Sequence, residues 1–275
     1  MKILKSLVLT DIQDTRISEI EIEAGNIAVK AQPGQFVILM VNETGERIPL
    51  TIVSSDPKRG LLTLIFQEIG YSTKLLGTLK PGDSLYSLTG PLGHPTLLKN
   101  YGNVIIVGGG VGIAEILPVA KALKDYGNKI YSILGARTKE LLILKDKIKN
   151  YSDELYLTTD DGSLGEKGFV SMVLERILKE NSDFQWIYCV GPVSMMRVVS
   201  QITRPYQIKT TVCLNTIMLD GTGMCGSCRL TEAGKVKFCC VDGPEFDGHQ
   251  VDFEELIQRQ GRFISQEKQA MQKLQ

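Results

Sequence analysis

Through residues 1–98 the apolar positions come in short runs, β-branched or aromatic, and helical spacing is weak. Phe36–Val41, Leu50–Val53, Leu61–Phe66 and Ser84–Leu88 are the runs, closed by Pro33-Gly34, Asn42-Glu43, Arg59-Gly60 and Pro81-Gly82-Asp83. Several short strands with turn signals between them predict an antiparallel barrel. From 99 to about 208 the pattern changes. A continuous apolar run, Val104–Val107, leads into Gly108-Gly-Gly-Val-Gly112 and then an amphipathic stretch, Ile113–Leu123. Strand-like Ile130–Leu134 and Leu155–Thr158 follow, separated by a helix-like Thr138–Lys149. This alternation predicts a Rossmann-like parallel-sheet domain. From 209 to 275 the chain is mixed. Thr211–Leu214 and the Cys239-Cys240 region read as short strands, and Val251–Arg259 has helical spacing that would dock Val251, Phe253 and Leu256. The closing stretch, 266–275, is polar and is expected to fray or to contact a partner. The fold expected is therefore multidomain β and α/β, divided at 1–98, 99–208 and 209–275.

Composition narrows the function classes. The chain is long enough for two or three small domains, and an apolar fraction of 43% supplies their cores. Its 31 basic residues balance 31 acidic ones, which leaves no field to draw nucleic acid or an anionic membrane. The opening apolar run breaks at Thr10-Asp11 with no small-residue cleavage site after it, and no run approaches a membrane span. Six cysteines, most of them clustered, do not resemble a disulfide framework. A reducing cytoplasm is the compartment expected.

The cluster is the main chemical signal. Asp220-Gly-Thr-Gly-Met-Cys225-Gly-Ser-Cys228 sets two thiolates three positions apart on a glycine-rich loop, with Cys240 twelve residues beyond. Glycines permit the tight turn such a pair requires. Soft thiolate ligands suit iron–sulfur or zinc rather than calcium or magnesium. Cys225 and Cys228 are the firm pair. Neighbours on a strand face opposite ways, so one of Cys239 and Cys240 faces the metal, and the Asp-Gly-Pro turn after it favours Cys240. The fourth position stays open between Asp220 and Cys213, a free cysteine in an apolar run being usually a small buried hydrophobe. Neither His94 nor His249 has a partner histidine at ligand spacing, so a turn or surface role is expected for His249.

The middle segment carries nucleotide chemistry. A buried strand, a glycine turn at Gly109, Gly110, Val111 and Gly112, and a helix together bring a helix N-terminus to a pyrophosphate. The glycines do not spell the Gly-x-Gly-x-x-Gly fingerprint. Thr159-Asp160-Asp161-Gly-Ser163 ends a strand, where open parallel sheets place ligands. Asp160 or Asp161 accepting from a ribose hydroxyl favours NAD. Arg137 would either pair with a 2′-phosphate or sit solvated at the surface, so NADP(H) stays open beside NAD(H).

Taken together, these motifs resemble known families. Asp220, Cys225, Cys228 and Cys240 match, offset for offset, the four-cysteine [2Fe-2S] pattern of the dihydroorotate dehydrogenase electron-transfer subunit, with Asp in place of the first cysteine. That substitution and the continuation Asp242-Gly-Pro-Glu-Phe-Asp-Gly-His249 resemble the small subunit of NADH-dependent reduced ferredoxin:NADP oxidoreductase, for which an Asp-plus-three-Cys cluster is implied. Pro33-Gly-Gln-Phe36, Arg47-Ile-Pro-Leu-Thr51, Gly70-Tyr-Ser-Thr73 and Gly90-Pro-Leu-Gly93 occur in the order seen in the ferredoxin-NADP reductase superfamily. The resemblance implies FAD, with Arg47, Pro49, Leu50 and Thr51 along the flavin strand. It implies Ile65, Phe66 and Gln67 toward the adenosine, and Ser72 and Thr73 on the phosphates. Ile48 separates Arg47 from Pro49, a departure from the dihydroorotate pattern. Cys189-Val-Gly191-Pro192 resembles the turn that approaches the nicotinamide, with Val190 inserted.

The resemblance implies electron transfer between NAD(H), FAD and a [2Fe-2S] cluster, chemistry that the cofactors carry with no side-chain acid or base. Nothing in the sequence looks like a site for a second organic substrate. The expected partner is a larger redox subunit, a flavoprotein with [4Fe-4S] clusters, in a heterodimer that meets ferredoxin indirectly. The rival readings are a dihydroorotate dehydrogenase electron-transfer subunit, an independent ferredoxin reductase, and a zinc-stabilised nucleotide-binding module.

Overall fold

The computed structural model describes residues 1–272. Residues 273–275, the end of the polar closing stretch, lie outside the described residues. The first sheet comprises β1 (Ile3–Ile12), β2 (Thr15–Glu23), β3 (Phe36–Met40), β4 (Ile48–Asp56), β5 (Leu61–Gln67) and β6 (Ser87–Leu92). Its order is β1-β2-β5-β4-β3-β6, antiparallel throughout. Backbone bonds from Ile3 N to Asp83 O (2.8 Å) and from Leu85 N to Met1 O (2.9 Å) tie the β1 edge to the approach of β6, so the sheet curls into a barrel. Ile20, Ile22, Val37, Leu39, Leu62, Leu64 and Phe66 fill it. Two short helices, α1 (Gly25–Lys30) and α2 (Tyr71–Gly77), belong to this part of the chain. Of the strand expected over Ser84–Leu88, Ser84 makes only an isolated bridge to Lys2, and β6 itself begins at Ser87.

The second sheet alternates with helices: β7 (Asn103–Gly109), α3 (Gly112–Asp125), β8 (Lys129–Ala136), α4 (Lys145–Lys149), β9 (Glu154–Thr159), β10 (Glu166–Lys167), α5 (Val170–Glu180), β11 (Trp186–Val190), α6 (Val193–Thr203) and β12 (Lys209–Cys213). Strand side chains alternate between faces, as the pleat requires. Ile105 and Val107 meet the core under α5 and α6, while Val104 and Ile106 meet the core under α3 and α4. The sheet order β10-β9-β8-β7-β11-β12 reverses direction between β7 and β11. A parallel sheet opens a crevice at such a switch point, beyond its carboxyl ends. The helix expected over Thr138–Lys149 is broken. Leu141, Leu142 and Ile143 are all buried, which a one-sided helical stripe cannot accommodate, and Leu144 takes a left-handed φ of 55° before α4 starts.

The last segment holds β13 (Arg229–Glu232), β14 (Lys235–Phe238), α7 (Cys239–Asp242), β15 (Glu245–Asp247), α8 (Phe253–Gln260) and α9 (Ile264–Gln272). β15 pairs antiparallel with β12, and α8 packs on α6, so this segment is knit into the second sheet. Cys239 and Cys240 lie on a helical turn rather than the expected strand. The Asp242 carboxylate accepts from Phe238 N (2.7 Å) and holds the turn closed. Val251, Phe253 and Leu256 are buried, as the helical spacing at 251–259 implied.

Candidate functional site

At the switch point, the barrel, the second sheet and the cluster segment enclose a cavity of about 380 Å³. Pro49, Leu50 and Thr51 of β4 and Ile65, Phe66 and Gln67 of β5 form its barrel wall, with Thr73 at the start of α2. Thr73 Oγ1 accepts from Ile69 N and Gly70 N, both at 3.0 Å, which shapes the turn into α2. Gly109, Gly110, Val111, Gly112, Gly191 and Pro192 form the facing wall. A Cβ on Gly112 would lie 2.6 Å from Val190 O, so only glycine lets the start of α3 approach the end of β11 this closely. Leu214, Asn215, Met218 and Pro244 bring the cluster segment to the same cavity.

A second cavity, of about 620 Å³, opens at the ends of β7, β8 and β9. Gly135, Ala136, Arg137, Thr158, Asp160 and Phe169 line it. The two cavities share Gln67, Ile69, Gly109, Gly110, Val111 and Pro192. Their common wall is thus the glycine turn.

Four of the expected residues lie off these walls. Arg47 is exposed and donates to Leu219 O (3.4 Å), toward the cluster loop rather than the flavin strand. Ser72 is buried and donates to Glu46 (3.1 Å). Thr159 donates to Leu164 O (2.9 Å), and Asp161 accepts from Ser163 N (2.9 Å), so both brace the loop from which Asp160 alone reaches the cavity. Arg137 lines the second cavity while donating to Thr15 on the β1–β2 hairpin. Cys189 is fully buried in β11, and His249 sits in a turn with Nε2 2.8 Å from Thr203 Oγ1.

Sequence reasoning missed Thr15 and Glu115. Thr15 carries no motif signal. Glu115 stands in the apolar run Ile113-Ala-Glu-Ile-Leu117, and a carboxyl on such a stripe is a signal in itself. It lines the first cavity and accepts from Thr51 Oγ1 (2.8 Å).

The cluster loop runs from Asp220 to Cys228, its turns made at Gly221, Gly223 and Gly226 with φ of 77°, 82° and 63°. Cys228 and Cys240 are buried with their sulfurs 3.3 Å apart, and Cys225 is exposed at the loop surface. Burial and the neighbouring Cys228 thiol push the Cys240 thiol up. Two buried thiols this close cannot both ionise without a cation, and a metal centre supplies one. The Cys228–Cys240 pair therefore fits two ligands of a thiolate-held group, with Cys225 exposed on the same loop. Asp220 turns its carboxylate onto backbone amides, accepting from Thr222 N (2.7 Å) and Cys225 N (2.8 Å), which hold its carboxyl below the usual range. Among the described residues no group of three or more His, Cys, Asp and Glu side chains already converges in ligand geometry. Cys239 points away from its neighbour and donates to Leu214 O (3.4 Å).

Comparisons with known proteins agree with this layout. Residues 215–252 match the iron–sulfur cluster binding domain of dihydroorotate dehydrogenase B, and residues 106–201 match an oxidoreductase NAD-binding domain. A Thermotoga maritima protein named as a homolog of the dihydroorotate dehydrogenase B (NAD(+)) electron transfer subunit is 46% identical over 247 residues, covering 90% of this chain and 87% of that protein. A probable subunit of the same name from Methanopyrus kandleri is 34% identical, covering 79% of this chain and 80% of its own. The solved structure of an NADH-dependent reduced ferredoxin-NADP oxidoreductase, described for flavin-based electron bifurcation, superposes with a TM-score of 0.92 at 43% identity, covering 99% of this chain and 97% of that one. The ferredoxin-NADP+ reductase of Plasmodium falciparum shares the fold at 18% identity, with a TM-score of 0.59 over 75% of this chain and 92% of its own. With a ferredoxin reductase-like fold, an NAD-binding sheet and an iron–sulfur-binding segment, the chain belongs to the oxidoreductase family of dihydroorotate dehydrogenase B-type electron-transfer subunits.

Proposed function

We propose that this chain carries electrons from NAD(H) through FAD to a [2Fe-2S] cluster and on to a larger redox subunit, as in NADH-dependent reduced ferredoxin:NADP oxidoreductase. The observation that carries the reading is the meeting of three segments at one cavity: β4 and β5, the Gly109–Gly112 turn, and Leu214 with Pro244 from the cluster segment. In this reading residues 1–98 hold the flavin, 99–208 the nicotinamide nucleotide and 209–275 the cluster, although the parallel sheet runs on through β12 to Cys213.

The residues of the first cavity would hold the flavin, which when bound would supply the exchange between a two-electron donor and a one-electron outlet. The chain's residues make that transfer possible by placement. Pro49 and Leu50 give the flavin an apolar seat, and the Gly109–Val111 turn, lacking side chains at its glycines, lets the dinucleotide lie against the opposite side. Holding two reactants at contact removes the entropic cost of their encounter. Cys225, Cys228 and Cys240 would hold the cluster, with Asp220 as the fourth ligand once its carboxylate leaves the loop amides. Asp160 at the nucleotide cavity accepts from ribose hydroxyls and opposes a 2′-phosphate, and Arg137 is engaged with Thr15, which together support NAD(H) over NADP(H).

A partner is supported by the surface around the cluster loop. Leu219, Met224 and Val241 leave apolar area there, and Met224 is 89% exposed. All six cysteines are free, in keeping with a reducing cytoplasm, and no described helix is long and apolar enough to cross a membrane.

Anaerobic purification of the chain from its native source tests the reading by flavin, iron and acid-labile sulfide analysis and by identification of the co-purifying subunit. A flavoprotein partner with [4Fe-4S] clusters is expected. A dihydroorotate-oxidising partner would assign the chain to pyrimidine metabolism instead. A colourless zinc protein would end the redox reading.

A further inference from the structure

Among the described residues Glu115 is the one carboxylate that lines the flavin cavity, and no described lysine, arginine or histidine lines it with Glu115. It lies in the first turn of α3, against Pro49–Thr51 across the cavity, with Oε2 2.8 Å from the Thr51 hydroxyl. An acidic residue in a cavity without a countercharge is costly to ionise, and packing alone would be served better by an apolar side chain. Its surroundings are specific. Thr51 faces it from β4 and Cys213 from β12, with Tyr188 on β11 and Glu245 on β15 behind. None of these is a cation. Burial pushes the Glu115 carboxyl up, and the hydrogen bond from Thr51 opposes that shift only in part. A carboxyl placed this way, with a hydroxyl on its oxygen and no cation facing it, can take up a proton and return it.

Resting on the function proposed above, we infer that Glu115 manages the proton of the flavin cavity, taking it at Oε2 through the Thr51 hydroxyl. The balance requires one such proton. Oxidation of the reduced nicotinamide releases two electrons and one proton, whereas the iron–sulfur outlet accepts electrons alone. The proton is left at the flavin site once both electrons have gone. Thr51 Oγ1 accepts it while passing its own hydrogen to Glu115 Oε2, and the carboxyl then gives it to solvent before the next electron pair arrives. Glu115 acts through Thr51 and is therefore a positioning residue for the proton, while Thr51 is the group that meets the cofactor.

The test is a spectroelectrochemical titration of the flavin in the full chain, loaded with FAD and cluster, across pH. Wild type, Glu115→Gln, Glu115→Asp and Thr51→Val are compared, with FAD per chain measured by absorbance in each. In the wild type the flavin midpoint potential should show a break in its pH dependence. Glu115→Gln should lose that break at full FAD content, Glu115→Asp should keep it at a shifted pH, and Thr51→Val, which removes the hydrogen bond that lowers the carboxyl, should move it to higher pH. Superimposable wild-type and Glu115→Gln curves with FAD bound would overturn this inference alone. A wild-type chain that takes up no FAD would overturn the proposed function with it. If Glu115→Gln fails to fold, Thr51→Val decides the matter: the carboxyl stays and only its hydrogen bond is lost, so a break that does not move would overturn the inference.

Discussion

Single atoms decide the fit at Gly112 and at Glu245. A methyl group on Gly112 would meet the backbone carbonyl of Val190, which has no freedom to move because β11 is paired on both sides. Gly112→Ala should cost about 1–3 kcal/mol in urea denaturation and should lower flavin content, since both walls of the cavity shift together. Glu245 makes a different point. Its Oε1 accepts from Thr96 Oγ1 (2.5 Å) and Tyr188 OH (3.0 Å), and burial raises its carboxyl. An acid whose folded pKa lies above its unfolded value holds more protons when folded, so its contribution is best in acid and declines as pH rises from about 4.3 through the folded value. Glu245→Gln retains an acceptor oxygen and cannot ionise. Its stability relative to wild type should therefore grow as pH rises above about 4.3, in denaturant midpoints collected at several pH values. The glycine-rich loop that carries Cys225 and Cys228 was legible from its spacing because the turns it makes are local. Glu115 and Thr15 were not, because their significance arises only when distant segments meet.

Elements were readable where burial was regular. β3, β5 and β7 show continuous apolar runs, and all three form close to the expected limits. β1 escaped notice because register shifts between Ile3 and Lys5 and between Val8 and Thr10 spoil its alternation, and Leu4, Leu7 and Val8 point outward. At the far end, α8 begins at an Asp252 cap whose carboxylate accepts from Glu255 N (2.9 Å). This helix delivers Arg259 to Ser227 O (3.1 Å), and Arg262 just beyond it donates to the same carbonyl (3.0 Å). Asp252→Ala should cost about 0.5–2 kcal/mol by unfolding measurement. Arg259→Met should speed hydrogen exchange of the loop amides near Ser227 and reduce iron retention, with little change in flavin content.

At the scale of the molecule, the cluster segment is not an appendage. β15 covers the outer edge of β12, which would otherwise present unpaired backbone groups. Truncation after Cys213 should thus yield aggregating protein, whereas amides of β12 and β15 in the intact chain should exchange with one common opening free energy. A loss of cooperativity between them would show the segment to be independent. Glu245 adds a further tie, since Thr96 lies in the connection between the barrel and the second sheet.

The shared boundary at Gly109–Val111 has a consequence for how such a protein can change over time. In the proposed function this one short span of main chain would border both bound cofactors, so neither fit could be revised there without disturbing its neighbour. New nucleotide preference, or a new potential for the electron carrier, must arise at peripheral positions such as Asp160 or Thr51 while the partition itself is inherited unaltered.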